Sequence, residues 1–321
     1  MAKNVVRVGH ELVTHGTLAA TMVDFPAEFN AKLDQVQYVP KESRLQQDEA
    51  YQAVASWQHE QWDMSGDIYH DTFGYILLAA FGVPTSVLVG TETAVWDSTF
   101  TPQNDPASLS LQWEQTIDYV NAFQALYGVL DELEVKFGNT EELKWTAKGF
   151  ALPETNLLGG QYTPTVTATK PNVNWQGQVT LGGASFGSLV SCTLKWKRNR
   201  APFFVINNAQ TPKRMRKGMR GGSVEIVVDP DTAGFARYSA FTSASKEALT
   251  VLFEDAGATI GTASHPRFQF EAANIVWKTG EIDVGSDTPL VKLSADQVLY
   301  DVTAGYSLSA LLRSSKDWAT L

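Results

Sequence analysis

Apolar and polar residues alternate one for one along several short runs of this chain, and a two-residue period admits little besides β structure. In "DELEVKF", Leu133, Val135 and Phe137 fall on one side, and Glu132, Glu134 and Lys136 on the other. Successive strand side chains point to opposite faces, so the run reads as a strand with one dry face and one wet face. "GNTEE" follows as turn material, and "LKWTAKGF" then places Leu143, Trp145 and Ala147 on one side, which makes a hairpin. "SLSLQW" and "LVSCTLKWK" repeat the pattern, the latter with Val190, Cys192, Leu194 and Trp196 aligned. So do "GGSVEIVVD", "ALTVLF", "RFQFEAANIVW" and "PLVKLSADQVLYD". The fold class that follows is mainly β.

Two stretches break the alternation. In "SGDIYHDTFGYILLAAFG" Phe73, Ile76, Leu77, Ala80 and Phe81 sit at helical spacing, with Asp71 or Thr72 as candidate caps and Gly82 and Pro84 as stops. A helix that short needs packing to exist. "DTAGFARYSAFTS" predicts a second short helix at 231–243. A glycine-rich strand start, an acid, a short helix and strands therefore occur in both halves, which predicts internal duplication. The expected organisation is an N-terminal arm with extended segments at 1–48 and a first β unit at 49–152. A linker rich in Pro, Thr, Gly and Asn follows at 153–174, then a second unit at 175–321. With 321 residues the chain suits two domains or one large β domain.

Catalytic chemistry finds no footing. No G-x-S-x-G elbow, P-loop or dinucleotide-binding fingerprint follows a strand; "GGASFGS" at 182–188 has glycines but no Lys-Ser/Thr and no following helix, and reads as a turn. The five histidines have no zinc-type spacing, so no metal and no cofactor are expected. Asp67, His70 and Asp71 flank a helix start and read as scaffold. Cys192, the single cysteine, sits on a strand's apolar face, where a buried hydrophobe is expected rather than a nucleophile. The start "MAKNVVRVGHEL" has no signal-peptide core, and the longest apolar run, "YILLAAFGV", is too short for a bilayer. The expectation is a soluble, non-enzymatic protein made in the cytoplasm.

Charge is unevenly placed. The whole chain carries −10, yet "KWKRNRAPFFVINNAQTPKRMRKGMR" at 195–220 holds nine Lys or Arg and no acid, which leaves −19 on the rest. Such asymmetry suggests a defined electrostatic partner. The segment reads as a long loop with Arg198 and Arg200 at one base, apolar Phe203 and Phe204 in the middle, and Lys213, Arg214, Arg216 and Lys217 at the other base. An apolar tip flanked by cations suits insertion into an acidic neighbour, and this chain is itself acidic. Self-assembly is the first reading; a solvated loop and nucleic-acid contact are the others.

Taken together, "VVRVGHELVTHGTLAATM", "SGDIYHDTFGYILLAAFG", "PASLSLQWEQ" and "YGVLDELEVKFGNTEELKWTAKGF", in that order, resemble the tail tube, or major tail, proteins of long-tailed, siphovirus-like bacteriophages. The resemblance implies a structural protein of the virion tail, made in the bacterial host cytoplasm, whose rings stack into a hollow tube. It also implies an antiparallel β-sandwich or barrel with short flanking helices, whose sheets would join those of neighbours into a continuous inner barrel. That tube would enclose a tape-measure protein and conduct DNA at ejection, with a tail terminator and a distal tail protein at its ends and no membrane contact. With duplication, three chains would form a pseudo-hexameric ring; without it, six. Because a basic wall would grip phosphates, Asp131, Glu132, Glu134, Glu141 and Glu142 are candidate lumen-facing acids. The basic loop would then lock ring to ring. The alternatives are another β-rich virion part, such as a terminator or capsid decoration protein, and a carbohydrate-binding β-sandwich suggested by the nine tryptophans.

Overall fold

The computed structural model describes residues 5–11, 14–38, 54–116, 120–157, 169–206, 210–283 and 290–321. In the first half run β1 (Val5–Glu11), β2 (Val23–Phe25), β3 (Glu28–Tyr38), β4 (Val54–Asp67), α1 (Gly74–Phe81), β5 (Thr85–Leu88), β6 (Trp96–Phe100), β7 (Ser108–Thr116), β8 (Val120–Gly138), β9 (Lys144–Ala151) and β10 (Thr155–Leu157). The second half supplies β11 (Gly177–Leu181), β12 (Ala184–Ser185), β13 (Leu189–Lys197), β14 (Ala201–Phe203), β15 (Arg214–Arg216), β16 (Gly221–Val228) and α2 (Thr232–Thr242). It ends with β17 (Glu247–Glu254), β18 (Arg267–Ile275), β19 (Thr279–Asp283), β20 (Leu290–Ala295), β21 (Val298–Leu299) and β22 (Leu308–Ser314). The protein is mainly β, with antiparallel sheets and two helices.

Eight strands form one run in the order β3-β4-β9-β8-β13-β16-β20-β19, antiparallel at every step. A second sheet, β12-β11-β17-β18-β22-β6-β5, covers it. The two layers touch through aromatic side chains: Phe137 of β8 meets Phe253 of β17 edge to face at 5.0 Å. Neither sheet respects the expected division at 153–174. β8 of the first half pairs with β13 of the second, and β6 of the first pairs with β22 of the second. One contiguous core results. The segment read as an arm supplies β1, β2 and β3; the rest of that reading, at 39–48, and most of the linker, at 158–168, lie outside the described residues.

The alternating runs fold as their pattern demands. Leu133, Val135, Leu143, Trp145, Ala147, Cys192, Leu194, Trp196, Val224 and Ile226 are all buried. Val190 is half-buried instead, because the register between β13 and β16 shifts between Leu189 and Ser191.

β8 is 19 residues long and serves two sheets. Its first part pairs with β7 and β10, and its second with β9 and β13. The bend falls at Tyr127, whose φ is 57°. Buried Glu11 holds it there, accepting from the Tyr127 N–H at 2.9 Å, from the Gly16 N–H at 2.7 Å and from the hydroxyls of Ser108 and Ser110. Its charge is thus satisfied by four donors within the core.

α1 lies between the layers, and all eight of its residues are buried. Phe73 packs on Trp145 at 5.7 Å and on Phe268 at 5.3 Å, one from each sheet. Neither Asp71 nor Thr72 caps it. Phe73 is the N-cap residue, with no side-chain cap bond, while Asp71 accepts from the Thr169 hydroxyl at 3.0 Å. The Thr72 and Phe73 carbonyls take the first-turn N–H groups of Tyr75 and Ile76 in place of a side-chain cap. Gly74 is obligatory for close approach, because a Cβ there would lie 2.3 Å from the Trp318 ring.

Candidate assembly surfaces

The outward face of the eight-stranded run is ordered by register. Asp63, Lys148, Glu132 and Lys197 occupy one row across β4, β9, β8 and β13. Opposite charges thus stand on successive strands, where cross-strand pairs stabilise by a few tenths to about 1 kcal/mol. Lys197 Nζ reaches Glu132 at 2.9 Å, and Lys195 reaches Glu134 at 2.8 Å in the next row. Lys292 of β20 reaches Glu225 of β16 at 2.9 Å. The hydrogen bonds they donate to Glu134 and Glu225 hold the Lys195 and Lys292 ammonium groups above their ordinary pKa.

Each of the five candidate lumen acids has a partner within the chain. Glu132 and Glu134 pair as above; Glu141 meets Lys136 at 2.9 Å and Glu142 meets Lys144 at 3.1 Å, both in the β8–β9 turn. Asp131 is half-buried at a bulge in β8, where its carboxylate takes the Arg200 N–H at 2.5 Å and its carbonyl the Arg198 N–H at 2.7 Å. Burial pushes its carboxyl up. This face is therefore charge-compensated rather than acidic, because strand pairing sets the first two cations of the 195–220 segment opposite the acids of β8.

The basic segment also differs from an open loop. Arg198 is 4% exposed and donates to the Ala80 carbonyl at 2.7 Å and the Gln103 carbonyl at 2.9 Å. Trp196 Nε1 shares the Ala80 carbonyl at 3.1 Å. Together they satisfy the buried C-terminal end of α1, where unpaired carbonyls and the helix dipole favour a cation. The burial lowers the Arg198 pKa to about 9. Arg200 is likewise buried beside Asp105, and Lys217 pairs with Asp105 at 2.9 Å. Phe204 stacks on Trp57 of β4 at 4.8 Å, and the Gln210 carbonyl takes the Gln58 N–H. Phe203 lies under Arg214 and Arg216, at 5.2 and 5.7 Å. The apolar middle is thus covered by the chain itself, apart from Ile206. Lys213, Arg214 and Arg216 are exposed, and among the described residues they carry no ion pair. Sequence reasoning missed Glu11 and the docking of Phe204; the apolar neighbours Trp57 and Phe204 were the only hint.

These surfaces sit on a single β scaffold, and the sequence from 59 to 296 matches the model of a family described as phage tail tube protein. The chain belongs to that family. It is a structural tail protein of a bacteriophage virion, and membership implies self-assembly into a tube. No curated protein matches the chain. Among the described residues no three or more His, Cys, Asp or Glu gather to hold a metal, and no helix is long and apolar enough to cross a membrane. Cys192 is buried, and burial pushes its thiol far above the ordinary range. Trp113, Trp145, Trp196 and Trp277 are buried in or beside strands, which leaves them no access to a sugar.

Proposed function

We propose that this tail tube protein polymerises as stacked rings into a hollow tube that encloses a tape-measure protein and conducts DNA during ejection. A tail terminator and a distal tail protein would close its two ends, with synthesis in the host cytoplasm. The observation that carries the reading is the parity of the eight-stranded run. Among the described residues β3 pairs with β4 alone and β19 with β20 alone, so both edges are open. An even number of alternating strands makes the two edges antiparallel to each other. Hence β19 of one copy continues the pattern beside β3 of the next, and repeating one seam closes a ring.

Strand count favours three copies. Three runs of eight make 24 strands; at about 4.8 Å per strand and up to about 40° of tilt, the backbone barrel is roughly 37–48 Å across. Inward side chains take about 5 Å on each side. A duplex fits that bore with a sheath of water. Six copies would double the diameter and leave most of the section empty. The compensated rows of the outward face suit a conduit, since their net field fades within about 8 Å at physiological salt and gives phosphates no continuous grip. Negative-stain microscopy and native mass measurement of the concentrated protein test this. Hollow tubes that dissociate to trimers are expected; a persistent monomer would end the proposal.

A further inference from the structure

We propose that the rings stack through a head-to-tail contact in which the β14–β15 hairpin of one copy seats on Trp175 and the acidic β8–β9 turn of a second copy. This rests on the ring-stacking reading above and names its two mating surfaces. They lie at opposite ends of the same strands. The basic hairpin follows the C-terminal end of β13, next to Asp131 and Glu132. The β8–β9 turn follows Gly138, which pairs with Ser191 near the other end of β13. Nine residues of strand separate the ends by about 30 Å.

The receiving end is built around an aromatic ridge. Trp175 is 79% exposed, a costly position for the largest apolar side chain unless something covers it. It stands on a single 3-10 turn, Asn174–Gln176, that is fixed twice. Asn174 Nδ2 donates to the Gly138 carbonyl at 2.8 Å, and the Val173 N–H donates to Gln176 Oε1 at 3.1 Å. A hollow opens on each side of the ring. One of about 370 Å³ is lined by Phe137, Phe186 and Leu189; one of about 770 Å³ is lined by Val173, Ile260 and Asp255. Glu141 and Glu142 stand in the turn whose Gly138 anchors the ridge, and their lysine pairs are exposed and so readily exchanged.

The inserting end has the complementary chemistry. Arg214 and Arg216 are exposed, flank the Phe203 ring and have no carboxylate partner among the described residues. Ile206, fully exposed, and Met219, 79% exposed, offer apolar side chains of a size to enter the hollows. Cations, aromatic faces and acids thus pair across the contact, with each guanidinium able to stack on indole as well as reach a carboxylate. Because the two surfaces differ, the contact is heterologous and does not close, which makes a filament of rings. It also assigns Glu141 and Glu142 to the ring end rather than the bore.

A charge-swap pair tests this. Arg214→Glu/Arg216→Glu and Glu141→Lys/Glu142→Lys are expected to melt like wild type and to give rings of wild-type mass, but no tubes. An equimolar mixture should restore tubes, because each variant's altered end then meets its complement. Trp175→Ala should raise the concentration needed for stacking at least tenfold. Tubes from either charge variant alone, or a mixture that stays as rings, would overturn the contact while leaving ring formation intact. Wild-type protein that forms no rings would overturn both this contact and the ring-stacking reading.

Discussion

The two ends of the basic segment carry the same residue types and do opposite work. Arg198 and Arg200, at its start, are buried and spend their charge inside the subunit, on the carbonyls at the end of α1 and on Asp105. Lys213, Arg214 and Arg216, about fifteen residues later, face solvent and carry no ion pair among the described residues. The difference teaches that a cluster of cations in sequence is not one electrostatic object. A buried helix end demands a donor, and the nearest strand end supplied it; what remained after that demand is the surface charge.

The sharpest break of that comparison is Arg198→Met. It strips the α1 terminus of its charged donor and leaves Trp196 alone on the Ala80 carbonyl, and a loss of about 3 kcal/mol is expected in urea unfolding. An unchanged midpoint would place Arg198 with the surface cations. Phe204→Ala should cost about 2 kcal/mol, because it removes the half-buried ring that docks the hairpin on Trp57. Faster amide exchange at Gln58 would accompany it if the hairpin releases.

A carboxylate sharpens the same contrast. Glu60 on β4 is 1% exposed, and burial, then neighbouring Glu154, push its carboxyl up to about 7. Its folded pKa lies above the unfolded one, so the stability it contributes is complete below about pH 4.5 and is lost as pH rises through 7. Glu60→Gln should therefore stabilise the subunit by about 1–3 kcal/mol at pH 8 and by nothing at pH 4. A gain that does not vary with pH would assign the effect to packing. The smallest effect belongs to the exposed end: Arg214→Glu/Arg216→Glu should leave subunit stability within about 0.5 kcal/mol of wild type by thermal melting, whatever it does to assembly.

Much of the fold was legible because strand side chains alternate. The residues that the pattern assigned to the dry face of "DELEVKF", "LKWTAKGF" and "GGSVEIVVD" are those the core buries. Both short helices were legible too, yet their environments were not. α1 is buried on every side, while in α2 only Gly234 is buried. Glycine-rich strand starts and an acid precede both, so local sequence gave no means to tell a core helix from a surface one beyond the higher apolar content of α1. Glu132 and Glu134 alternate with the dry residues of β8 and do lie on its wetter face, but their partners came from β13, some sixty residues away.

By itself, then, the sequence determined periodicity: which segments are strands, which of their faces are dry, and that a short apolar helix must be packed. Those properties depend on neighbours one to four residues apart. Only the tertiary structure decided which strands became neighbours, that one sheet would draw on both halves of the chain, and which charges would be consumed in pairs. Such choices depend on contacts between residues distant along the chain. The physical reason is that a strand satisfies half its backbone hydrogen bonds on each side, and any strand of matching length and face can supply them.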